Sequence, residues 1–379
     1  MPHMAPSFDI CIRGTGVVGS TLALLLARER LKVALVPAPG PRNPAATDVR
    51  AYALNLASRR LLESLRSWPD DEHATAVRKM QVHGDQGGAV HFDAAVQGVD
   101  ALAWIVDVPA LEARLAEAVR YQAQVQVVDT PVSAALTVVC EGRASRTREE
   151  FGAEFQVTPY AQVAIATRLN CELGHAQIAR QWFLPDGILA LLPLGGPQGR
   201  SVAVVWSVLQ DRAPALMAAS PQDFAQTLQA ASHGALGKLE LSAERASWPL
   251  QLAKADRWCG TLSPDGNHAR SWVLAGDAAH NVHPLAGQGL NLGLGDAQAL
   301  AHVLHGREYW RSAADTRLLR RYERERKATL LAMGVATDGL QQLFARDDAP
   351  LQTLRNWGMK GFDRSATLKS LVARQAMGT

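Results

Sequence analysis

The sequence predicts an α/β protein: a doubly wound lobe assembled from separated stretches, a sheet-rich lobe inserted into it, and a helical C-terminus. Three observations carry this reading. A strand, a glycine turn and a helix follow one another near the N-terminus, and a second such unit stands far downstream at 271–304. Between them, short apolar alternations of strand type replace helical spacing. At 379 residues the chain exceeds a usual single domain and can bury a sizeable core.

In the first unit, Asp9 to Arg13 leads into Gly14-Thr15-Gly16-Val17-Val18-Gly19, and STLALLLARER continues as a helix with an apolar face. Glycines in that setting permit a tight turn, close approach of backbone to a pyrophosphate and close helix packing, with the helix N-terminus supplying positive dipole. Gly14, Gly16, Val18 and Gly19 are therefore expected contacts of a Rossmann-like, dinucleotide-binding lobe. The second strand, Lys32 to Val36, runs into Pro37, where such lobes carry an acid for the ribose hydroxyls. Proline has no side-chain acceptor, which leaves that task to Asp48 or to water.

In the second unit, Trp272 to Ala275 is a short strand, Asp277 stands at its end, and helical spacing resumes at about Leu290. Gly287-Gln288-Gly289, just before the helix, leaves backbone N–H groups free to meet electron-rich oxygens. Such a loop suits a flat, anionic cofactor.

The stretch GDAAHNVHPLAGQGLNLGLGDAQAL resembles the second flavin motif of single-component, FAD-dependent aromatic hydroxylases, above all those of ubiquinone biosynthesis, and the resemblance extends over nearly the whole chain. It implies that Asp277 bonds the ribityl chain and that Pro284 lies near the isoalloxazine. It also implies that the backbone of Gly287, Gln288, Gly289, Leu290 and Asn291 faces the carbonyl side of the ring. The segment DVRAYAL is similar to the one from which an arginine reaches the flavin region, which implicates Arg50; a surface arginine is the competing assignment. The family's Asp-Gly motif, associated with FAD and NAD(P)H, corresponds to Glu141-Gly142, with Glu141 in place of the Asp. Arg143, Arg146 and Arg148 follow it, either as partners for a dinucleotide's phosphates or as a solvated basic loop. Val108 stands where similar proteins place a polar residue against FAD.

The flavin lobe is expected over 7–75, 106–152 and 262–330, the substrate lobe over 76–105 and 153–261, and a helical C-terminal segment over 331–379. Within the substrate lobe, strands are expected at Gln162 to Arg168, Gly187 to Leu192 and Ser201 to Leu209. Trp182, Leu192, Pro193, Trp206 and Trp248 are candidates to line an apolar substrate cavity, although tryptophans in a sheet are commonly core.

A net charge of +3, with 20% charged and 47% hydrophobic residues, describes a soluble globular protein rather than a nucleic-acid binder. Cys11, Cys140, Cys171 and Cys259 are widely spaced, which argues against a zinc site or disulfide framework and fits a reducing cytoplasm. His280 and His283 superficially offer a metal pair, but no third ligand stands at a metalloenzyme spacing, and no metal is expected. No run approaches a membrane span, so the chain is expected to be cytoplasmic, with the inner-membrane surface or a biosynthetic complex as a further contact.

The resemblance implies a reaction scheme. NADPH or NADH reduces FAD, molecular oxygen adds at the flavin C4a position, and the hydroperoxide passes one oxygen to an electron-rich ring, here a polyprenyl phenol of ubiquinone biosynthesis. No side chain is singled out as catalytic, because the cofactor carries the chemistry. Two rivals stand beside it: a hydroxylase of a different small aromatic compound, and a scaffold or binding subunit whose FAD site has decayed. Pro37, Val108 and Glu141 favour the last, and the intact glycine turns oppose it.

Overall fold

The computed structural model describes residues 8–38, 48–84, 88–263, 270–281 and 289–345, with side chains in the last helix described to Leu331. The chain begins with Phe8–Arg13 (β1), Val17–Arg28 (α1), Val33–Val36 (β2), Ala51–Leu54 (β3), Leu56–Ser64 (α2) and Ala74–Val77 (β4). Lys79–His83 (β5), Ala89–Asp93 (β6), Ala103–Asp107 (β7), Val108–Arg120 (α3), Val125–Val127 (β8), Ala134–Val139 (β9) and Arg146–Glu150 (α4) follow. Next come Phe155–Cys171 (β10), Ile178–Leu184 (β11), Gly187–Pro193 (β12), Ser201–Leu209 (β13), Ala213–Ala218 (α5), Pro221–Ala231 (α6), Leu239–Leu241 (β14) and Ala246–Ala255 (β15). The chain closes with Cys259–Ser263 (β16), Arg270–Leu274 (β17), His280–Asn281 (β18), Gly289–His305 (α7) and Thr316–Ala345 (α8).

Six strands form the first sheet in the order β16-β17-β9-β1-β2-β8. All are parallel except β16, which returns antiparallel to β17. Helices cover a parallel sheet on both faces, so its strands are apolar throughout rather than alternating. Ile10, Ile12, Val33, Leu35, Leu136, Val138 and Val273 are accordingly buried. From β1 the chain moves outward to β2 on one side, while β9 and β17 lie on the other. The carboxyl ends of β1, β9 and β17 therefore sit side by side at a switch of strand order, where open α/β sheets bind their ligands.

The second sheet has nine strands, ordered β18-β15-β10-β13-β12-β11-β5-β6, with β14 pairing onto β10. Its two faces are distinct. Ile165, Trp182, Leu189, Val204 and Trp206 pack with Leu216, Phe224 and Leu228 of α5 and α6. On the other face, Ala203, Ala179 and Leu192 meet Val77 and Ile105 of a third, three-stranded sheet, β3-β7-β4. That small sheet is sandwiched, because its alternate residues Leu54, Ala74, Trp104 and Val106 belong to the core of the first lobe.

The expected lobe boundaries at 75/76 and 105/106 fall inside β4 and β7, and β16 joins the first sheet before position 262. Helices α5 and α6 interrupt the stretch read as strand-dominated, and α8 runs through the expected boundary at 330/331. Most of the C-terminal segment lies outside the described residues. Among the described residues, no helix is long and apolar enough to cross a membrane.

Candidate functional site

Three turns meet at the ends of β1, β9 and β17. Gly14 has φ +118°, and an added Cβ would lie 2.2 Å from the carbonyl oxygen of Cys140, just past β9. At Gly19 a Cβ would lie 1.9 Å from the carbonyl oxygen of Gly14. The protein's own backbone therefore demands both glycines. Gly16 differs: it is the N-cap of α1 in extended conformation, and only Glu112 Oε1, at 3.9 Å, comes within 4 Å of its Cβ position. No packing among the described residues calls for glycine there. An open approach to a helix N-terminus is the feature a pyrophosphate uses.

Val18 serves the interior. Its Cγ2 would lie 3.3 Å from a Cβ on Gly276 and 2.7 Å from one on Gly293, so it wedges α1 against the turn after β17 and against α7. Its side chain is spent on packing, and only its backbone remains for a ligand.

Asp277 lies in a single 3-10 turn between β17 and β18. Solvent reaches the residue, yet surrounding protein crowds the carboxyl and pushes its pKa up. Its neighbours His280 and Arg143 and a hydrogen bond with the Asn281 side chain pull in the opposite direction. Tyr52 of β3 feels the same carboxylate, its hydroxyl pushed up by burial and by Asp277.

That turn is gripped from behind by Asp296, a residue of α7 with no solvent exposure. Its Oδ2 accepts from the Gly276 N–H at 2.9 Å and lies 2.6 Å from His280 Nε2, while Oδ1 accepts from Arg326 Nε of α8 at 2.6 Å. Burial alone would raise this carboxyl, but His280 and Arg326 together hold it below the usual range. His280 stacks on Trp258 at 5.1 Å, and Arg326 also donates to the Leu292 carbonyl at 3.1 Å. One buried carboxylate thus ties the Asp277 turn to two helices.

The remaining predicted residues divide. Arg50 is brought to the glycine turn: its Nη2 lies 3.9 Å from Glu112 Oε1, the same oxygen that approaches Gly16. Asp48 holds it there, accepting from Nε at 2.8 Å and Nη2 at 2.5 Å. Both oxygens of Asp48 are thereby engaged with Arg50. Asn291, in the first turn of α7, donates to the Ala53 carbonyl at 2.8 Å and accepts from the Asn55 N–H at 3.0 Å and Ser58 Oγ at 2.7 Å. It locks α7 to β3 and α2. Leu290 packs against the first core, and among the described residues no atom comes within 4 Å of a Cβ position on Gly289. Pro284, Gly287, Gln288 and His283 lie outside the described residues.

Glu141 is engaged within the protein. Its carboxylate, 2% exposed, turns inward and accepts from Ser145 Oγ at 2.8 Å, Thr147 N–H at 3.1 Å and Thr147 Oγ1 at 2.6 Å, with Arg13 Nε at 3.0 Å. Four donors saturate a carboxylate, and with this side chain committed to them it caps α4. Arg148 is likewise no phosphate partner. It is buried over the Phe155 ring at 3.8 Å and donates to the carbonyl of Arg143. Val108 is buried in the first turn of α3, and Glu112, one turn later, supplies the polar group near Gly16.

The cavity candidates also separate by face. Trp182 and Trp206 belong to the helix-covered core, where Trp206 tilts against Phe224, and Pro193 pairs with Val202 of that same face. They do not line the side toward the flavin lobe. Leu192 does face it, and Trp248 shares that side because it pairs with Ala164, which pairs in turn with Ser207. A cavity of about 750 Å³ lies elsewhere, between β4 and the Leu194–Gly199 loop.

The sequence reading missed Asp296, Arg326 and Glu112. A signal for Asp296 existed: it is an acid on the apolar stripe Leu292, Gly293, Ala297, Leu300, and a buried charge implies a partner.

Tested against a dinucleotide carrying a flavin, these features fit. Among the described residues Gly16 and Gly289 leave backbone open, Arg50 stands at the glycine turn, and Asp277 stands just past the end of β17. Comparisons agree. The FAD binding domain family matches residues 107–335. Ubiquinone hydroxylase UbiL of Rhodospirillum rubrum is 31% identical over 98% of this chain and 90% of its own length. The 3-demethoxyubiquinol 3-hydroxylase of Escherichia coli is 29% identical, with 98% of both covered. Among solved structures, PqsL, a probable FAD-dependent monooxygenase from Pseudomonas aeruginosa, superposes with a TM-score of 0.73 at 21% identity, covering 93% of this chain and 99% of that one. The chain belongs to the family of FAD-dependent aromatic hydroxylases.

Proposed function

We propose that this hydroxylase acts on a polyprenyl phenol intermediate of ubiquinone biosynthesis, with NADPH or NADH as reductant. The observation that carries the cofactor half is Gly16, a glycine that no contact among the described residues requires, placed at a helix N-terminus beside Arg50. Bound there, FAD supplies the oxygen-activating chemistry.

The chain's own residues then have defined tasks. Gly16 and the first turn of α1 receive the pyrophosphate, with Arg50 balancing its charge. Asp277 accepts from the ribityl hydroxyls. The N-terminus of α7 at Gly289 stabilises negative charge on the ring's carbonyl side. The face that carries Leu192 and Trp248 gives the substrate ring an apolar wall that keeps water from the reacting centre. Relatives whose names specify ubiquinone or demethoxyubiquinol hydroxylation support a prenylated ring over a small one.

The test is NADPH oxidation and oxygen uptake by the FAD-loaded enzyme, with phenols of increasing prenyl length. The reading predicts that oxidation is stimulated by substrate and improves with tail length. Stimulation by small phenols alone would favour the alternative substrate class. No stimulation by any phenol would contradict the assignment.

A further inference from the structure

Tyr309 is 92% exposed and Trp310 66%, and their rings meet edge-on at 4.8 Å. Two large aromatic rings facing solvent lose the burial that normally justifies them. They sit in the short turn between α7 and α8, and Arg311 closes that turn through Glu308 at 2.6 Å and Asp315 at 2.7 Å. Asp315 in turn accepts from the Arg317 N–H at 2.9 Å, at the start of α8. The aromatic pair is therefore fixed at the N-terminal end of that helix.

From there Arg317, Arg320, Arg321, Arg324 and Leu331 follow at helical spacing along one exposed face, opposite buried Leu319, Tyr322 and Arg326. Arg326 and Lys327 are paired with Asp296 and Glu323, whereas those four arginines have no ion-pair partner among the described residues. Glu325 is the one acid exposed between Thr316 and Leu331. Four unpaired cations on one face exceed the net charge of +3 of the whole chain.

We infer that this surface docks on an anionic phospholipid bilayer, with Tyr309 and Trp310 entering the headgroup layer and the α8 arginines meeting lipid phosphates. Tyrosine and tryptophan favour that depth, where one end of the ring system is apolar and the other wet. Basic side chains nearby supply the second, electrostatic attraction that stable peripheral binding needs. Rings packed on each other at 4.8 Å leave no slot for successive bases, so the geometry fits lipid better than single-stranded nucleic acid. The inference extends the reading of a prenylated substrate, which would itself reside in a bilayer, but vesicle binding needs no substrate and turnover of a short-chain phenol needs no vesicle.

The experiment is flotation of the full-length FAD-loaded protein with vesicles of phosphatidylcholine, with or without phosphatidylglycerol. Tyr309→Ser/Trp310→Ser and Arg317→Gln/Arg320→Gln/Arg321→Gln/Arg324→Gln variants are run alongside. Salt-sensitive binding to the phosphatidylglycerol vesicles is expected, weakened at least about 100-fold in the arginine variant and about tenfold or more in the aromatic one. FAD affinity and turnover of a short-chain phenol stay unchanged in both. Failure of the unaltered protein to float, or equal flotation of all three proteins, overturns the inference. So does arginine-dependent binding to a single-stranded oligonucleotide without flotation.

Discussion

Asp296 of α7 and Arg326 of α8 are joined by a 2.6 Å hydrogen bond in a site closed to solvent, and the other oxygen of that carboxylate holds the turn bearing Asp277. Arg326 is thus the counter-charge that lets a buried carboxylate serve as an anchor. Replacing Arg326 with Met strands that carboxylate and is expected to cost about 3–5 kcal/mol, with a similar loss for Asp296→Ala. The double variant should lose clearly less than the sum, because the two residues form one unit. Urea unfolding of the four proteins measures this; strict additivity would show that the pair is not coupled.

Acid should act through the same carboxylate. The folded state holds Asp296 below its unfolded value of about 3.9, so its contribution is fully present above that value and is lost as pH falls through the folded one. Stability of the unaltered protein should therefore drop steeply below about pH 4, and Asp296→Asn should flatten that decline. Thermal melts across the acid range check it.

Asp277 carries the opposite sign. Crowding raises its carboxyl in the folded state, so stability falls as pH climbs from its unfolded value through the raised one. At neutral pH the ionised group is a cost to the apoprotein. Asp277→Asn should raise the apoprotein's Tm while weakening FAD about tenfold to a hundredfold, the range for losing a charged hydrogen-bond acceptor. Calorimetry of the apoprotein and a flavin titration separate the two effects.

The glycines of the first turn should separate as well. Gly16→Ala places its Cβ in open space at ordinary backbone angles, so the fold should hold or gain about 0.4–1 kcal/mol while FAD binding falls. Gly14→Ala drives a Cβ into the Cys140 carbonyl and should cost at least about 2 kcal/mol whether or not FAD is present. Chemical denaturation paired with FAD titration of both variants decides it.

Glu141 offers a contrast. Because its carboxylate serves Ser145, Thr147 and Arg13, Glu141→Ala should lower stability by about 3–5 kcal/mol and leave FAD affinity of the folded fraction nearly unchanged. A Kd for FAD measured below the melting range tests this.

Much of the architecture was legible because glycine turns between strand and helix have a local signature, and Gly14 to Gly19 and Gly276 to Asn291 both carry it. Alternation in β11, β12 and β13 showed two faces but not which one meets the helices, since that depends on where α5 and α6 fold back. Trp182 and Trp206 could not be assigned to the helix-covered core from sequence for that reason. The assignment of Glu141 rested on its place in a motif, whereas its extra methylene lets the carboxylate turn back onto α4. The Asp296 anchor joins residues 20 and 30 positions apart in sequence, a closure that local pattern does not encode.

The most direct test of the account is a titration of the purified apoprotein with FAD, followed by its visible spectrum. The account predicts saturable binding with a Kd of about 1 μM or tighter, a shifted flavin spectrum, and loss of both in Gly16→Ala despite an unchanged fold. No binding at near-millimolar FAD would contradict it, and the chain would then be a flavin-fold scaffold rather than an enzyme.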